Sequence, residues 1–207
     1  ELRRTLTGFK FIGEQIGLLE SQGREADFLF GFEESYGYLA GTHARDKDAV
    51  VASVLVCELA AHWKARGLDL YEAMQRLYAE HGFWASVLLS KTYEGPEGAA
   101  DMADIMAGLR ANPPAELAGV PVDQVLDYAE GAEMPVTNPS DPEPQQLPPA
   151  DVLELRLADG SRVIVRPSGT EPKVKAYVFA KAATVEGADS LLASISAEVE
   201  SILGGTK

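Results

Sequence analysis

The chain has 207 residues, a length that suits one large or two modest domains. Its 46% hydrophobic and 24% charged residues make an ordinary globular profile, which excludes a mainly disordered or collagen-like chain. A net charge of -14 argues against binding the nucleic-acid backbone, and the longest near-apolar run, Ala49 to Cys57, is far short of a membrane span. The single cysteine, Cys57, cannot form an intramolecular disulfide; lying among Val54, Leu55 and Leu59 it is predicted to be core, in keeping with a reducing, cytoplasmic setting. The start at Glu1, without methionine or any signal-peptide pattern, reads as a fragment of a longer protein.

In chain order, Thr7 to Leu19 reads as a loop entering a helix, and Asp27 to Phe32 as a short buried strand that leads into a loop over Glu33 to Arg45. Val50, Val51, Val54, Leu55, Leu59 and Trp63 recur near helical spacing between Asp46 and Gly67, with Asp46 or Asp48 as the cap. Asp69 caps a second helix that ends at Gly82. Residues 1–83 are therefore expected to form an α/β domain, part of a three-layer α/β/α arrangement. A second domain is expected over residues 84–207, with a strand from Ala85 to Tyr93, a helix from Pro96 to Arg110 and a strand from Val120 to Tyr128. Six prolines between Pro135 and Pro149 predict a long irregular loop. A hairpin follows, Val152 to Leu157 and Arg162 to Arg166 around Asp159-Gly160, then a strand from Lys173 to Lys181 and a helix from Val185 to Leu203. The fold class predicted for this part is α+β, a mostly antiparallel sheet flanked by helices.

Charge is unevenly spread. Residues 84–150 hold 2 bases against 11 acids, whereas Arg162 to Lys181 holds five bases against the single Glu171. Within that basic stretch, Arg166-Pro-Ser-Gly-Thr-Glu-Pro-Lys173 joins two strands. Arg166 can grip phosphate oxygens with two parallel hydrogen bonds, Ser168 and Thr170 can donate hydroxyls, and Gly169 lets backbone N–H groups approach. The same pattern is also compatible with a purely structural turn. Gly31-Phe-Glu-Glu-Ser-Tyr-Gly37 stands at the carboxyl end of the predicted strand, where ligands sit in open α/β sheets. Its carboxylates suit sugar hydroxyls, with a solvated acidic turn as the other reading. Adjacent extended residues point apart, so Glu33 and Glu34 do not make a glycosidase pair. In Gly41-Thr-His-Ala-Arg-Asp-Lys-Asp48, Lys47 lies at the positive end of a helix, which predicts a lowered pKa suited to proton transfer. An exposed lysine between two aspartates is the alternative. His62 and His81 read as structural, and no metal site or activated nucleophile is legible.

Taken together, Thr5-Leu-Thr-Gly-Phe-Lys10, Gly31-Phe-Glu-Glu-Ser-Tyr-Gly37, Arg45-Asp-Lys-Asp48, Leu147-Pro-Pro-Ala-Asp-Val-Leu153 and Arg166-Pro-Ser-Gly-Thr-Glu-Pro172 resemble the α-D-phosphohexomutase superfamily, in its phosphoglucomutase and phosphomannomutase branch. The resemblance implies the end of domain 3 and all of domain 4 of a four-domain cytoplasmic enzyme. The family's phosphoserine loop and its Mg2+ loop would lie in N-terminal domains outside this chain, with glucose 1,6-bisphosphate as activator and intermediate. The chain alone is therefore expected to bind hexose phosphate and not to transfer phosphate. Carried over by position, Arg166, Ser168, Gly169 and Thr170 match the loop that grips the phosphate not being transferred, and Glu33 and Ser35 match the sugar-binding loop. Thr7 and Gly8 match a further substrate contact, His43 a histidine found in some members, and Lys47 the lysine proposed for proton transfer. Phosphomannomutase, phosphopentomutase, sugar bisphosphate synthase and a non-catalytic sugar-phosphate-binding module are the alternative activities.

Overall fold

A computed structural model describes residues 2–33, 36–95, 97–134, 145–168 and 171–204. The chain divides into two compact units, Glu1–Arg76 with Met134–Gln145, and Leu77–Glu133 with Gln146–Lys207. Among the described residues no helix is long and apolar enough to cross a membrane.

In the first unit, helix α1 (Phe9–Ser21) buries Phe9, Ile12, Gly13 and Ile16, the stripe that a period near 3.6 places on one face. This face meets the hairpin of β1 (Phe30–Glu33) and β2 (Gly37–Ala40) through Leu39, with Phe28 and Ala44 at the margin. Gly31 permits the close approach, since a Cβ there would stand 2.6 Å from Ile12 Cγ2. The antiparallel register sets Phe32 opposite Tyr38 and Glu33 opposite Gly37. Two expectations are corrected here. The strand begins at Phe30 and not at Asp27, and the predicted loop contains a second strand. Nor is the strand buried: Phe30 and Phe32 are exposed, because α1 covers one side of the hairpin while Phe30, Phe32 and Tyr38 lie together on the other, with ring centroids 5.9 Å (Phe30–Phe32) and 6.3 Å (Phe30–Tyr38) apart.

Helix α2 (Ala49–Lys64) starts at Asp48, whose carboxylate accepts from the N–H groups of Val50 and Val51. It packs against β2, yet none of its residues is buried. Cys57 is therefore exposed and not core. The apolar residues at helical spacing, Val50, Val54, Leu55 and Leu59 among them, are exposed, because the described residues cover too little of that helix. Helix α3 (Leu70–His81) opens on a capping box: Glu72 N–H donates to Asp69 Oδ1 at 2.8 Å, and Asp69 N–H to Glu72 Oε2 at 2.9 Å.

The second unit is built on one antiparallel sheet of β3 (Phe83–Thr92), β4 (Glu116–Leu117), β5 (Val120–Asp127), β8 (Leu153–Leu157), β9 (Arg162–Pro167) and β10 (Lys173–Ala182), in the order β3-β10-β9-β8-β5-β4. Helices α4 (Gly98–Ala111) and α5 (Val185–Gly204) cover one face. There, alternate residues Val174, Ala176 and Val178 of β10, Val163 and Val165 of β9 and Leu153, Leu155 and Leu157 of β8 pack on Ile195, Val199, Met106 and Leu109. Tyr93 OH donates to Leu203 O at 2.6 Å and ties the end of α5 to the chain leaving β3. Short strands β6 (Ala132–Met134) and β7 (Gln145–Leu147) pair, so regular structure enters the predicted irregular segment at Gln145; residues 135–144 lie outside the described residues.

On the opposite face of β8, Glu154 is buried. It accepts from Tyr128 OH at 2.6 Å and from Arg156 Nε at 2.9 Å. Burial pushes its carboxyl pKa up, but the hydrogen bonds from Arg156 and Tyr128 outweigh that and hold it below the ordinary 4.5. Burial, reinforced by the Glu154 carboxylate, raises the Tyr128 phenol. A carboxyl more acidic in the folded than in the unfolded chain stabilises the fold above its unfolded value, and this contribution is lost as pH falls through the folded value. The urea midpoint is thus expected to fall between roughly pH 5 and 3. Glu154→Gln is expected to be less stable at neutral pH and to lose less on acidification; an equal acid loss in both proteins would contradict this role.

Candidate functional site

Thr7 and Gly8 precede the first turn of α1. Gly8 is its N-cap at φ 125° and ψ 125°, a backbone that L side chains avoid, and it offers no side-chain cap. The loop 41–48 is held against the same helix. A Cβ on Gly13 would stand 2.7 Å from Arg45 O, and Arg45 Nη2 reaches Glu20 Oε2 at 2.9 Å while its Nη1 donates to Thr42 O at 2.8 Å. Asp48 N–H donates to Tyr38 O at 2.8 Å, which ties the other end of the loop to β2.

This framework gathers the charged groups. Lys47 Nζ lies 3.4 Å from Glu33 Oε1 and 3.2 Å from Asp46 Oδ1, and 5.2 Å from the centre of the Phe9 ring. Glu33 is mostly buried, with a side-chain exposure of 13%. Gly37 makes room for the pair: a Cβ there would meet Glu33 Cγ at 2.7 Å and Lys47 Cδ at 3.0 Å. His43 Nε2 lies 2.7 Å from Asp48 Oδ2, while Asp48 Oδ1 accepts from Val50 N–H at 2.8 Å and Val51 N–H at 3.1 Å. The His43 bond and those amides hold the Asp48 carboxyl below its usual range.

The lowered lysine pKa expected from the helix terminus is not found. The hydrogen bond to Asp46 and then the charge of Glu33 raise the Lys47 ammonium above its ordinary value. The helix N-terminus is occupied by the Asp48 carboxylate, so the lysine faces two acids in place of a bare positive dipole. Lys47 is a protonated cation in this arrangement.

In the second unit Arg166 is half-buried near the end of β9, opposite Lys175 of β10. Its Nε is buried and makes no hydrogen bond among the described residues, as a guanidinium arranged for an anion would be. Ser168 follows it, and its N–H donates to Lys173 O at 2.7 Å, closing the turn. Lys173 Nζ is engaged by Glu171 Oε2 at 3.0 Å. Of the remaining predicted site residues, Ser35, Gly169 and Thr170 lie outside the described residues. The structure brings Thr7, Gly8, Glu33, His43 and Lys47 onto α1, the β1–β2 hairpin and the loop 41–48 of one unit, and Arg166 with Ser168 onto one loop of the other.

Sequence reasoning missed three contributors. Asp46 is the strongest influence on Lys47, Asp48 serves both helix and histidine, and Gly37 supplies space for the ion pair. The acids flanking Lys47 were the available signal, although their partners became apparent only once the hairpin register was known. Among the described residues no three His, Cys, Asp or Glu side chains converge as metal ligands. The described residues do not fit the Mg2+ that the resemblance implies.

Comparison with known proteins assigns the chain to a family. Residues 1–81 match the family model for phosphoglucomutase/phosphomannomutase, alpha/beta/alpha domain III, and residues 99–198 the model for the phosphoglucomutase/phosphomannomutase C-terminal domain. The chain belongs to the phosphoglucomutase/phosphomannomutase family, in its C-terminal part. It is 37% identical over 181 residues to a phosphoglucomutase of Staphylococcus aureus strain bovine RF122, covering 87% of this chain and 32% of that protein. It is 36% identical over 176 residues to one of Staphylococcus epidermidis, covering 85% and 31%. The chain thus spans about a third of the length of these curated relatives. The open form of parafusin, a phosphoglucomutase from Paramecium, shares the fold at TM-score 0.58 and 18% identity, covering 96% of this chain and 32% of that one.

The charge arrangement makes a testable statement. Asp46→Asn is expected to lower the Lys47 pKa, and by more than Glu33→Gln does, as followed by NMR titration of the lysine side chain. An unchanged titration in both variants would exclude the acidic clamp.

Proposed function

We propose that this chain is the C-terminal part of a phosphoglucomutase that interconverts glucose 1-phosphate and glucose 6-phosphate through glucose 1,6-bisphosphate. The observation that carries the reading is the Glu33–Lys47 pair built across Gly37, in the loops where the family resemblance puts sugar binding and proton transfer. Two functional domains follow, 1–83 for the sugar and 84–207 for the phosphate. The names of the 36–37% identical relatives favour glucose over mannose, pentose or bisphosphate-synthase chemistry.

In this reading Glu33 and Ser35 accept and donate hydrogen bonds at the sugar hydroxyls, with Thr7 and Gly8 contributing from the start of α1. Arg166, Ser168, Gly169 and Thr170 hold the phosphate that is not transferred. The bisphosphate must turn over between the two transfers, so each phosphate in turn fits one shared anion loop. Neighbouring hydroxyls roughly exchange places in that turn, so contacts to them survive it. Lys47 is the catalytic residue of this chain: as a fixed ammonium it offsets charge that develops during phosphoryl transfer and can return a proton to an oxygen. Mg2+ and the phosphorylated nucleophile belong to N-terminal domains of the same cytoplasmic protein. This chain alone binds hexose phosphate and does not catalyse transfer.

Arg166→Ala is expected to weaken binding of glucose 1,6-bisphosphate by roughly 1.5 to 3 kcal/mol, the range for a hydrogen bond to a charged group. Isothermal titration calorimetry measures this, and unchanged affinity would remove the anion loop from the assignment.

A further inference from the structure

Among the described residues two that are not glycine have positive φ, Tyr36 at 53° and Ala118 at 51°. In that region Cβ crowds the neighbouring carbonyl, a strain that persists only where something else holds the residue in place. For Ala118 the compensation is visible: it lies in the turn between β4 and β5 and packs on the apolar core of the second unit. For Tyr36 it is not, because the side chain is 94% exposed. The local chemistry of the turn asks for a different residue. Glu33 and Gly37 are the last register pair of β1 and β2, which leaves residues 34–36 as the hairpin loop. Three-residue loops commonly end in a left-handed position, and glycine fills it without strain. Here a large aromatic residue stands there, uncovered. Its position along the chain is also specific. Tyr36 follows Ser35 directly, and one peptide bond further on Gly37 lies against the ion pair, where a Cβ would meet Glu33 Cγ at 2.7 Å and Lys47 Cδ at 3.0 Å.

We propose that Tyr36 is a specificity-determining residue whose ring lies on the C–H face of the sugar, and that this contact is what keeps a tyrosine at a strained backbone position. The inference rests on the phosphohexomutase reading and adds to it a contact that is not a hydrogen bond. The electron-rich face of an aromatic ring suits the weakly positive C–H groups of a pyranose. Apolar contact is also non-directional. Hydrogen bonds to the hydroxyls survive the turnover of the bisphosphate only where one hydroxyl replaces another, whereas a ring can cover the sugar in either orientation. Such a contact separates a sugar phosphate from a bare phosphate, a distinction that the Arg166 loop cannot make by charge alone.

The test uses the full-length native protein. Tyr36→Gly and Tyr36→Asn remove the ring and leave residues that tolerate positive φ, while Tyr36→Phe keeps the ring. The KM for glucose 1-phosphate is expected to rise about tenfold in the two ringless variants and to stay within about threefold of wild type in Tyr36→Phe. The inhibition constant of inorganic phosphate is expected to stay within about twofold in all three, since the anion loop is untouched. Thermal unfolding of the ringless variants is expected at or above the wild-type temperature, because the strain is relieved. A tyrosine with a merely structural role gives the reverse, a lower unfolding temperature with KM unchanged. A KM within about twofold of wild type in both ringless variants, a Tyr36→Phe enzyme as impaired as they are, or their unfolding more than about 3 °C below wild type would overturn the proposal alone. Absence of turnover in the wild type would overturn the phosphohexomutase reading and the proposal with it.

Discussion

The first unit depends on one close approach. Gly13 has no side chain, so the carbonyl of Arg45 can come to within 2.7 Å of the place a Cβ would occupy, and the loop 41–48 is carried against α1. Its charged residues then become neighbours of the hairpin: Lys47 reaches Glu33, and Asp48 reaches both the start of α2 and the ring of His43. A larger residue at position 13 would lift the loop and separate groups that depend on distances of about 3 Å for their electrostatics. The small residue at Gly37 has the same effect on the other side of the ion pair. Two glycines thus set the geometry on which the charge arrangement rests.

Much of this arrangement was legible in the sequence where local chemistry decides the outcome. The Asp48 and Asp69 caps, the alternation of β8, β9 and β10 and the turn at Gly160 are all statements about a few adjacent residues, and the structure follows them. The second strand of the hairpin was not legible, because Gly37–Ala40 is a four-residue element with no long periodicity and its pairing partner is defined only by the fold. Cys57 and the Lys47 pKa failed for a common reason. Each was inferred from sequence neighbours, whereas exposure depends on what covers α2 and protonation depends on Asp46 and on Glu33 across the hairpin. The roles carried over for Thr7, Glu33, His43, Lys47, Arg166 and Ser168 came from motifs in order along the chain and not from periodicity.

The second unit offers a different kind of support. Its sheet is rigidified by a fully apolar layer under α4 and α5, and its other face satisfies a buried carboxylate with Tyr128 and Arg156. A loop mounted on two such strands can present a guanidinium and a hydroxyl to an anion without reorganising the sheet. Of the five bases of Arg162 to Lys181, Arg166, Lys173 and Lys175 stand at the loop end of β9 and β10, against the single Glu171, a local balance that favours an anion over a neutral partner there. The relatives are about three times as long as this chain.

The most direct measurement is turnover by the full-length native protein with Mg2+ and glucose 1,6-bisphosphate, comparing glucose 1-phosphate with mannose 1-phosphate in a coupled assay. The account predicts conversion of both esters, faster for glucose 1-phosphate. Absence of turnover of either ester by a folded, fully phosphorylated protein would contradict it.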